Sequence, residues 1–439
     1  MSYLVCGGGG GVSGEEEVPT REEFVQLLRE DAPLPEDIQP ATQEFCKPSN
    51  ISCVLITGVT GNLGPYVLRE VTNRSQIQKV YCLMRPSKEK AKARLTTILS
   101  GKSLLQDIKM DKVECIEGNI IEDRLGISPE LYENLCKEVD GVFHMGVRSS
   151  WQELYRITSR HSDLDIRTVN VLGTTNLLRF ACATKNKHVY YSSTTLTAST
   201  LDQDRLMETW PSPEDFDELP NDAYTVSKFI CELRLHQALE RGVPVKVFRF
   251  PMIAGDSKSG GNINALNNQI LLRMMTYMSM GVAPAYKVPF MLVPVDICAE
   301  ISVQIFLTDV AAYDIYNVSN PYVNDEQEFE EVAEELGNKI EIVEVDDFVE
   351  KLEKTADSEL LVFMKKGMEN SEFRERLEEN FPGPALAWVG GDKNVFVSRK
   401  LVNAMPDRYP ECMENSLNVL RRDLFYCKKS GIFTKFGLR

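Results

Sequence analysis

Histidine is scarce in this chain: four among 439 residues, at positions 144, 161, 188 and 236, with no two close together. That argues against an imidazole-based zinc site and against a Ser-His-Asp hydrolase. Eleven cysteines are scattered, and no C-x-x-C pair occurs. An odd, unclustered set reads as free thiols in a reducing compartment, so a cytoplasmic location is expected. No apolar run approaches the length of a bilayer, so no membrane span is expected. The first residues lack the basic and apolar regions of a secretory signal. Positive charge is short as well: 49 Lys and Arg against 65 Asp and Glu give a net charge of −16. This balance argues against nucleic acid as a partner, and any phosphate site has to gather its cations locally. Internal repeats are absent.

What is present fits a large globular core: 43% of residues are hydrophobic and 26% charged. Residues 1–18, with a glycine run from Gly7 to Gly11, read as a disordered tail. Residues 19–50 read as a helix carrying Phe24, Leu27 and Leu28, followed by a proline-interrupted lead-in that packs on the body. From residue 51 apolar runs alternate with helical patterns. Strands are expected at 54–56, 79–84, 113–116, 141–144, 188–191 and 245–250, and helices at about 87–99, 128–138, 164–184 and 222–240. Such alternation predicts an α/β fold, a doubly wound parallel sheet with ligands at the carboxyl ends of its strands. After 255 the texture changes to a polar loop, a Met-rich helix at 271–280, acidic helical material at 324–380 and a helical tail at 410–430. Those methionines read as adaptable packing, with an acyl-pocket lining as the alternative. The expected division is 51–255 as the dinucleotide-binding unit and 256–439 as a smaller, mostly helical substrate-binding region, with 290–320 returning to the sheet.

The first strand ends in Gly58-Val-Thr60-Gly61-Asn62-Leu63-Gly64 and a helical pattern follows directly. Strand, glycine turn and helix place a pyrophosphate on a helix N-terminus, where orphan N–H groups and the helix dipole favour anions. Gly58 permits the turn, Gly61 the approach of the phosphates and Gly64 close helix–strand packing. The second strand ends in Arg85, where an NAD site would carry an acid for the ribose 2′-hydroxyl. An arginine there grips a 2′-phosphate instead, with Arg94 as a second clamp, so NADPH is the expected cofactor.

The fifth strand ends in Tyr190-Tyr-Ser-Ser193-Thr194-Thr195, a hydroxyl cluster where a substrate oxygen would be held. Its bland alternative is a loop cap. Tyr224-Thr-Val-Ser-Lys228, the only Tyr-x-x-x-Lys in the chain, lies on the next predicted helix. Spacing of four puts both side chains on one face, and a cation near the phenol is expected to lower its pKa towards acid–base work.

Together these features resemble the extended short-chain dehydrogenase/reductases. Val80-Tyr-Cys-Leu-Met-Arg85, Glu117-Gly-Asn119-Ile120, Leu125-Gly-Ile-Ser128, Asn170-Val-Leu-Gly-Thr174 and Leu292-Val-Pro-Val-Asp296 are similar to the thioester reductase group. That group includes the terminal reductase domains of nonribosomal peptide synthetases and carboxylic acid reductases, with fatty acyl-CoA reductases as relatives. The resemblance implies a Rossmann domain and an NADPH-dependent oxidoreductase that converts a thioester-bound acid to an aldehyde, with further reduction to an alcohol left open. The acyl donor would be an acyl carrier protein or CoA. In that group Ser193 or its neighbour Thr194 would hold the carbonyl oxygen, Tyr224 would protonate it, and Lys228 would hold the nicotinamide ribose. Asn119 and Ile120 would lie at the adenine, although the group usually has Asp at the first of these. His144-Met-Gly-Val-Arg148 and Arg249-Phe-Pro251 also depart from the usual pattern. Rival readings are a sugar-nucleotide, ketone or aldehyde enzyme of the same fold, and a non-catalytic NADPH sensor. Neither a metal nor an oligomeric state is indicated.

Overall fold

A computed structural model describes residues 20–149, 155, 165–199, 208–220, 222–261, 268–285, 289–322, 324–325, 328–355, 360–361 and 398–438. The tail at 1–18 and the segment 362–397 lie outside the described residues.

Six strands in chain order, β1 (Cys53–Thr57), β2 (Lys79–Met84), β3 (Val113–Glu117), β4 (Gly141–His144), β5 (His188–Thr194) and β6 (Val245–Phe250), form one sheet with a short edge strand, Ile315–Asn317. The spatial order is edge strand, β6, β5, β4, β1, β2, β3, and every neighbouring pair is parallel. This is a Rossmann sheet, and the strand order reverses between β1 and β4.

The strands read as apolar runs because both faces are covered. In β1, Val54 and Ile56 face one core with helices Gly64–Asn73 and Val295–Phe306, whereas Cys53 and Leu55 face another beneath Gly173–Cys182. Period-two alternation distributes one strand between two cores.

Helices run back against the strands, so their carbonyl ends gather at the amino end of the sheet. Lysines meet them there. Lys112 Nζ donates to Thr72, Arg74 and Ile77 carbonyls at 3.1, 3.3 and 2.6 Å. Lys187 reaches the Ala183 carbonyl at 2.7 Å and Lys246 the Ile305 carbonyl at 2.8 Å. Each ammonium satisfies orphan carbonyls and complements the negative end of a helix dipole. Burial still pushes the Lys187 and Lys246 ammonium groups down to about 8.

The lead-in is a helix, Arg21–Asp31, and a strap that lies along helix Ala223–Glu240. Arg241 donates to the Leu34, Pro35 and Ile38 carbonyls at 2.9, 2.7 and 2.8 Å. Gln237 closes a two-way pair with the Leu34 amide (2.9 Å) and the Ala32 carbonyl (3.0 Å). Asp31 accepts two bonds from Arg167 and one from Tyr155, each of 2.6 Å.

A separate core away from the sheet joins helices Gln269–Met280, Phe329–Glu335, Val345–Lys354 and Ser416–Lys429. Met274 and Met275 are fully buried in it, so they pack rather than line an open pocket. The predicted helix at 164–184 contains a π-helical turn, Thr168–Leu172, before regular helix Gly173–Cys182. The ten described cysteines are all unbridged. Among the described residues no helix is long and apolar enough to cross a membrane, and no cluster of metal-ligating side chains occurs.

Candidate active site

The carboxyl ends of β1, β2, β4 and β5 lie along one edge of the sheet. At β1 the chain enters the turn through Gly58, whose φ of +80° suits glycine. A Cβ there would lie 2.6 Å from the Met145 carbonyl carbon, and one on Gly64 would lie 2.1 Å from the Gly58 oxygen. Only hydrogen at both positions lets helix Gly64–Asn73 start this close to the strand. Thr60 and Gly61 form the exposed tip, closed by a 3.0 Å bond from the Gly61 amide to the Gly58 carbonyl. Leu63, buried, begins the helix. Asn62 Oδ1 is buried with no hydrogen-bond partner among the described residues. A glycine cradle and an unsatisfied acceptor fit a dinucleotide, whose hydroxyl and amide groups supply the donor.

The residues after β4 fix the cradle's other wall. Thr174 donates to the Asn170 carbonyl at 2.6 Å, so His144 Nε2 donates to Thr174 at 3.1 Å. His144 Nδ1 is then the acceptor from Thr57 Oγ1 at 2.8 Å, and Thr57 in turn accepts from the Gly146 amide at 3.0 Å. Burial, helped by the Lys228 charge, pushes the imidazole down to about 3, so His144 is neutral and structural. The unusual His144–Arg148 run therefore locks the ends of β1 and β4 to helix Gly173–Cys182. Asn170, in the π-helical turn, accepts from the Arg148 amide (2.8 Å) and donates to Ser227 (2.9 Å), tying that run to the helix of Tyr224.

Arg85 is exposed at the end of β2. Arg94 donates to the Arg85 carbonyl at 2.7 Å, so it braces the arginine's backbone as well as adding charge. Lys88, Lys90 and Lys92 lie between them, a cationic stretch in an acidic chain. Asn119 follows β3; it bonds Glu122 at 3.0 Å, and its amide meets the Leu125 carbonyl at 2.8 Å. Ile120 is half-buried against Gly173, where a Cβ would lie 2.7 Å from its methyl.

Ser193 and Thr194 point to opposite faces of β5, as successive strand residues do. Ser193 Oγ donates to Glu232 at 2.5 Å, away from the helix-224 phenol. Thr194 lies beside Tyr224, and its hydrogen bond to the phenol favours the phenolate. Tyr224 is half-buried on helix Ala223–Glu240. Lys228, four residues on, donates to the Ser192 carbonyl and sits 4.5 Å from the centre of the Tyr191 ring. The expected lowering of the phenol is not what the surroundings produce: burial pushes Tyr224 up to about 12, outweighing Thr194. Lys228 faces the Ser192 carbonyl instead, and burial pushes its ammonium down to about 8.

Glu232 escaped the sequence reading, and Arg249 entered it only as part of a departure from the group's usual pattern. Glu232 continues the stripe of Tyr224 and Lys228 one further turn along the helix. Arg249, with Lys246, interrupts the apolar run of β6. The Glu232 and Arg249 side chains are 0% exposed, and they pair at 2.5 Å. A lone acid on a buried helix face and a lone arginine within an apolar strand were the available signals.

The family profile described as male sterility protein matches residues 56–302. A nonribosomal peptide synthetase of Aspergillus flavus is 28% identical over 326 residues, covering 69% of this chain and 30% of that protein. A carboxylic acid reductase of Neurospora crassa is 31% identical over 246 residues, covering 55% of this chain and 22% of that protein. The chain spans less than a third of the length of these curated relatives. The crystal structure of the terminal R domain from the myxalamid PKS-NRPS biosynthetic pathway superposes with a TM-score of 0.74 at 22% identity, covering 93% of this chain and 98% of that one. That likeness extends the shared fold across the helical C-terminal region. The chain belongs to the male sterility protein family, nicotinamide-cofactor proteins within the thioester reductase group of the extended short-chain dehydrogenase/reductases.

Proposed function

We propose that this chain is an NADPH-dependent reductase of a thioester-activated carboxylic acid, presented on an acyl carrier protein or CoA and released as an aldehyde. The observation that carries this reading is the meeting of Thr194, Tyr224 and Lys228 at the strand ends beside the glycine cradle. The names of the relatives, a nonribosomal peptide synthetase and a carboxylic acid reductase, favour a thioester over a sugar nucleotide. Arg85 and the lysines after it favour a 2′-phosphate and hence NADPH over NADH.

NADPH bound in the cradle supplies the hydride. Thr194, rather than Ser193, donates a hydrogen bond to the thioester oxygen, because the Ser193 proton is committed to Glu232. Tyr224 delivers its proton as negative charge grows on that oxygen, and preorganised donors aimed there stabilise the transition state. Lys228 holds the nicotinamide ribose. The resulting hemithioacetal breaks to an aldehyde and a free thiol. Gly58, Thr60, Gly61, Asn62, Leu63 and Gly64 hold the pyrophosphate, and Asn119 with Ile120 flanks the adenine.

Purified protein mixed with NADPH and an acyl-CoA or an acyl carrier thioester tests this. Consumption of NADPH with aldehyde detected by mass spectrometry, lost in Tyr224→Phe, is the expected result. Dinucleotide binding with no turnover of any thioester would overturn it in favour of a sensor.

A further inference from the structure

We propose that Glu232 is a positioning residue of the site: with Arg249 it forms a buried ion pair that turns Ser193 away from the substrate and holds Lys228 in its working charge state. The inference rests on the dinucleotide-binding reading of Lys228, not on the identity of the substrate.

The geometry is that of a hub. Glu232 Oε1 accepts from Ser193 Oγ at 2.5 Å and from Thr197 Oγ1 at 3.0 Å. Arg249 Nε lies 3.1 and 3.2 Å from the two carboxylate oxygens, and its Nη2 donates to Oε2 at 2.5 Å. Nη2 also reaches the Thr209 carbonyl at 3.0 Å. One carboxylate thus joins the end of β5, the turn beginning at Leu196, β6 and the segment at Thr209. With its hydroxyl drawn to Glu232, Ser193 leaves Thr194 as the neighbour of Tyr224.

The charge has a second effect. Lys228 is faced by His144 from β4, Tyr191 and the Ser192 carbonyl from β5, and Cys231 and Glu232 on its own helix, with Arg249 of β6 behind Glu232. Burial lowers the lysine to about 8, while Cys231 and Glu232 pull it back up. His144 is down near 3, the Cys231 thiol is raised, and burial lifts the Tyr191 and Tyr224 phenols, the latter to about 12. Near pH 8 the group that titrates in this cluster is Lys228. A carboxylate one turn further along the same helix keeps the lysine protonated through neutral pH, and Arg249 sets how much of that field reaches it.

The test is dinucleotide affinity against pH from 6 to 10, read by cofactor fluorescence in the full chain. The wild type is expected to lose affinity with a basic limb near pH 8. In Glu232→Gln, which keeps the shape and drops the charge, the limb moves down by about half to one pH unit. In Arg249→Gln, which leaves Glu232 unopposed, it moves up by a similar amount. The double variant has no unpaired buried charge and returns the limb close to the wild-type position. A merely structural hub predicts lower thermal stability with an unmoved limb. If one single variant does not fold, the other against the double variant still gives the sign. Limbs that coincide in all folded variants, or a wild type with no basic limb, would overturn the proposal. Failure of thioester turnover would instead count against the proposed function, since dinucleotide binding is read without substrate.

Discussion

The two ends of the central sheet treat their polar groups in opposite ways. At the amino end, Lys112, Lys187 and Lys246 are held by helix carbonyls, each donating at least two bonds to backbone. At the carboxyl end, Asn62 Oδ1 has no described partner, Arg85 is exposed, and Tyr224 is only half-buried. The sheet direction explains the asymmetry. Helix carbonyls collect at one end and can be satisfied by short local reaches. Helix amides collect at the other, where satisfying them internally would fill the ligand's place. The three lysines are bonded in full at the amino end, though Asn186 Oδ1 beside Lys187 has no partner among the described residues; at the carboxyl end the open groups, Asn62 and Arg85, lie at the glycine turn and the end of β2.

The sharpest way to break that contrast is at Tyr224. Removing its hydroxyl in Tyr224→Phe is expected to lower kcat by about 10²–10⁴-fold, as loss of a general acid does, with dinucleotide affinity little changed. Equal losses in affinity and kcat would mean the phenol only supports the fold. Gly64→Ala comes next. Its methyl would sit 2.1 Å from the Gly58 oxygen, so the turn must open. A stability loss of about 1–3 kcal/mol in urea titration is expected, with dinucleotide binding weakened more than tenfold. Unchanged binding in a folded variant would remove the cradle from the site. Arg85→Ala is expected to cost about 2 kcal/mol of NADPH affinity and leave NADH affinity alone. Parallel loss for both cofactors would contradict the 2′-phosphate assignment.

The smallest effect belongs to the amino end. Lys246→Met deprives the Ile305 and Thr308 carbonyls of their donor and also removes a buried charge. These oppose each other, and a net loss of about 1 kcal/mol at neutral pH is expected, with no change in cofactor affinity. The pH dependence is more telling. Lys246 has a folded value of about 8, against 10.5 for a free lysine. Below 8 both states hold the proton and the burial cost is complete. Between 8 and 10.5 the unfolded chain holds more protons, so this group's contribution rises with pH. Denaturation curves from pH 7 to 10 should therefore climb more steeply in the wild type than in Lys246→Met; identical slopes would show that Lys246 does not titrate there.

Five of the six main strands were legible as bounded apolar runs because burial on both faces leaves no polar alternation to confuse them, whereas β3, at the sheet edge, exposes Glu114 and Glu117. The edge strand Ile315–Asn317 was not, since three residues carry no period. Helical spacing found the run before residue 184 but could not reveal its π-helical turn, because Thr168–Leu172 is about one turn, too short to show a period of its own. The glycine cradle, Arg85, Tyr224 and Lys228 were recognisable from type and spacing. The proposed division of work between Ser193 and Thr194 was not: it rests on strand pleating and on the bond from Ser193 to Glu232 of another element. The direction of the phenol's shift escaped for a related reason. Spacing placed a cation on the same helix face, whereas the lysine's actual neighbour is the Ser192 carbonyl.

The strap along helix Ala223–Glu240 has a consequence for the order of folding. Arg241 and Gln237 reach partners 203 to 207 residues away in the chain. Contacts of that range form late, because closing so long a loop costs entropy before any bond rewards it. The sheet can assemble from its neighbouring βα units while the helix of Tyr224 and Lys228 still lacks its outer clamp. Refolding should therefore restore near-native sheet signals before it restores cofactor binding, with the interval set by the arrival of residues 32–38.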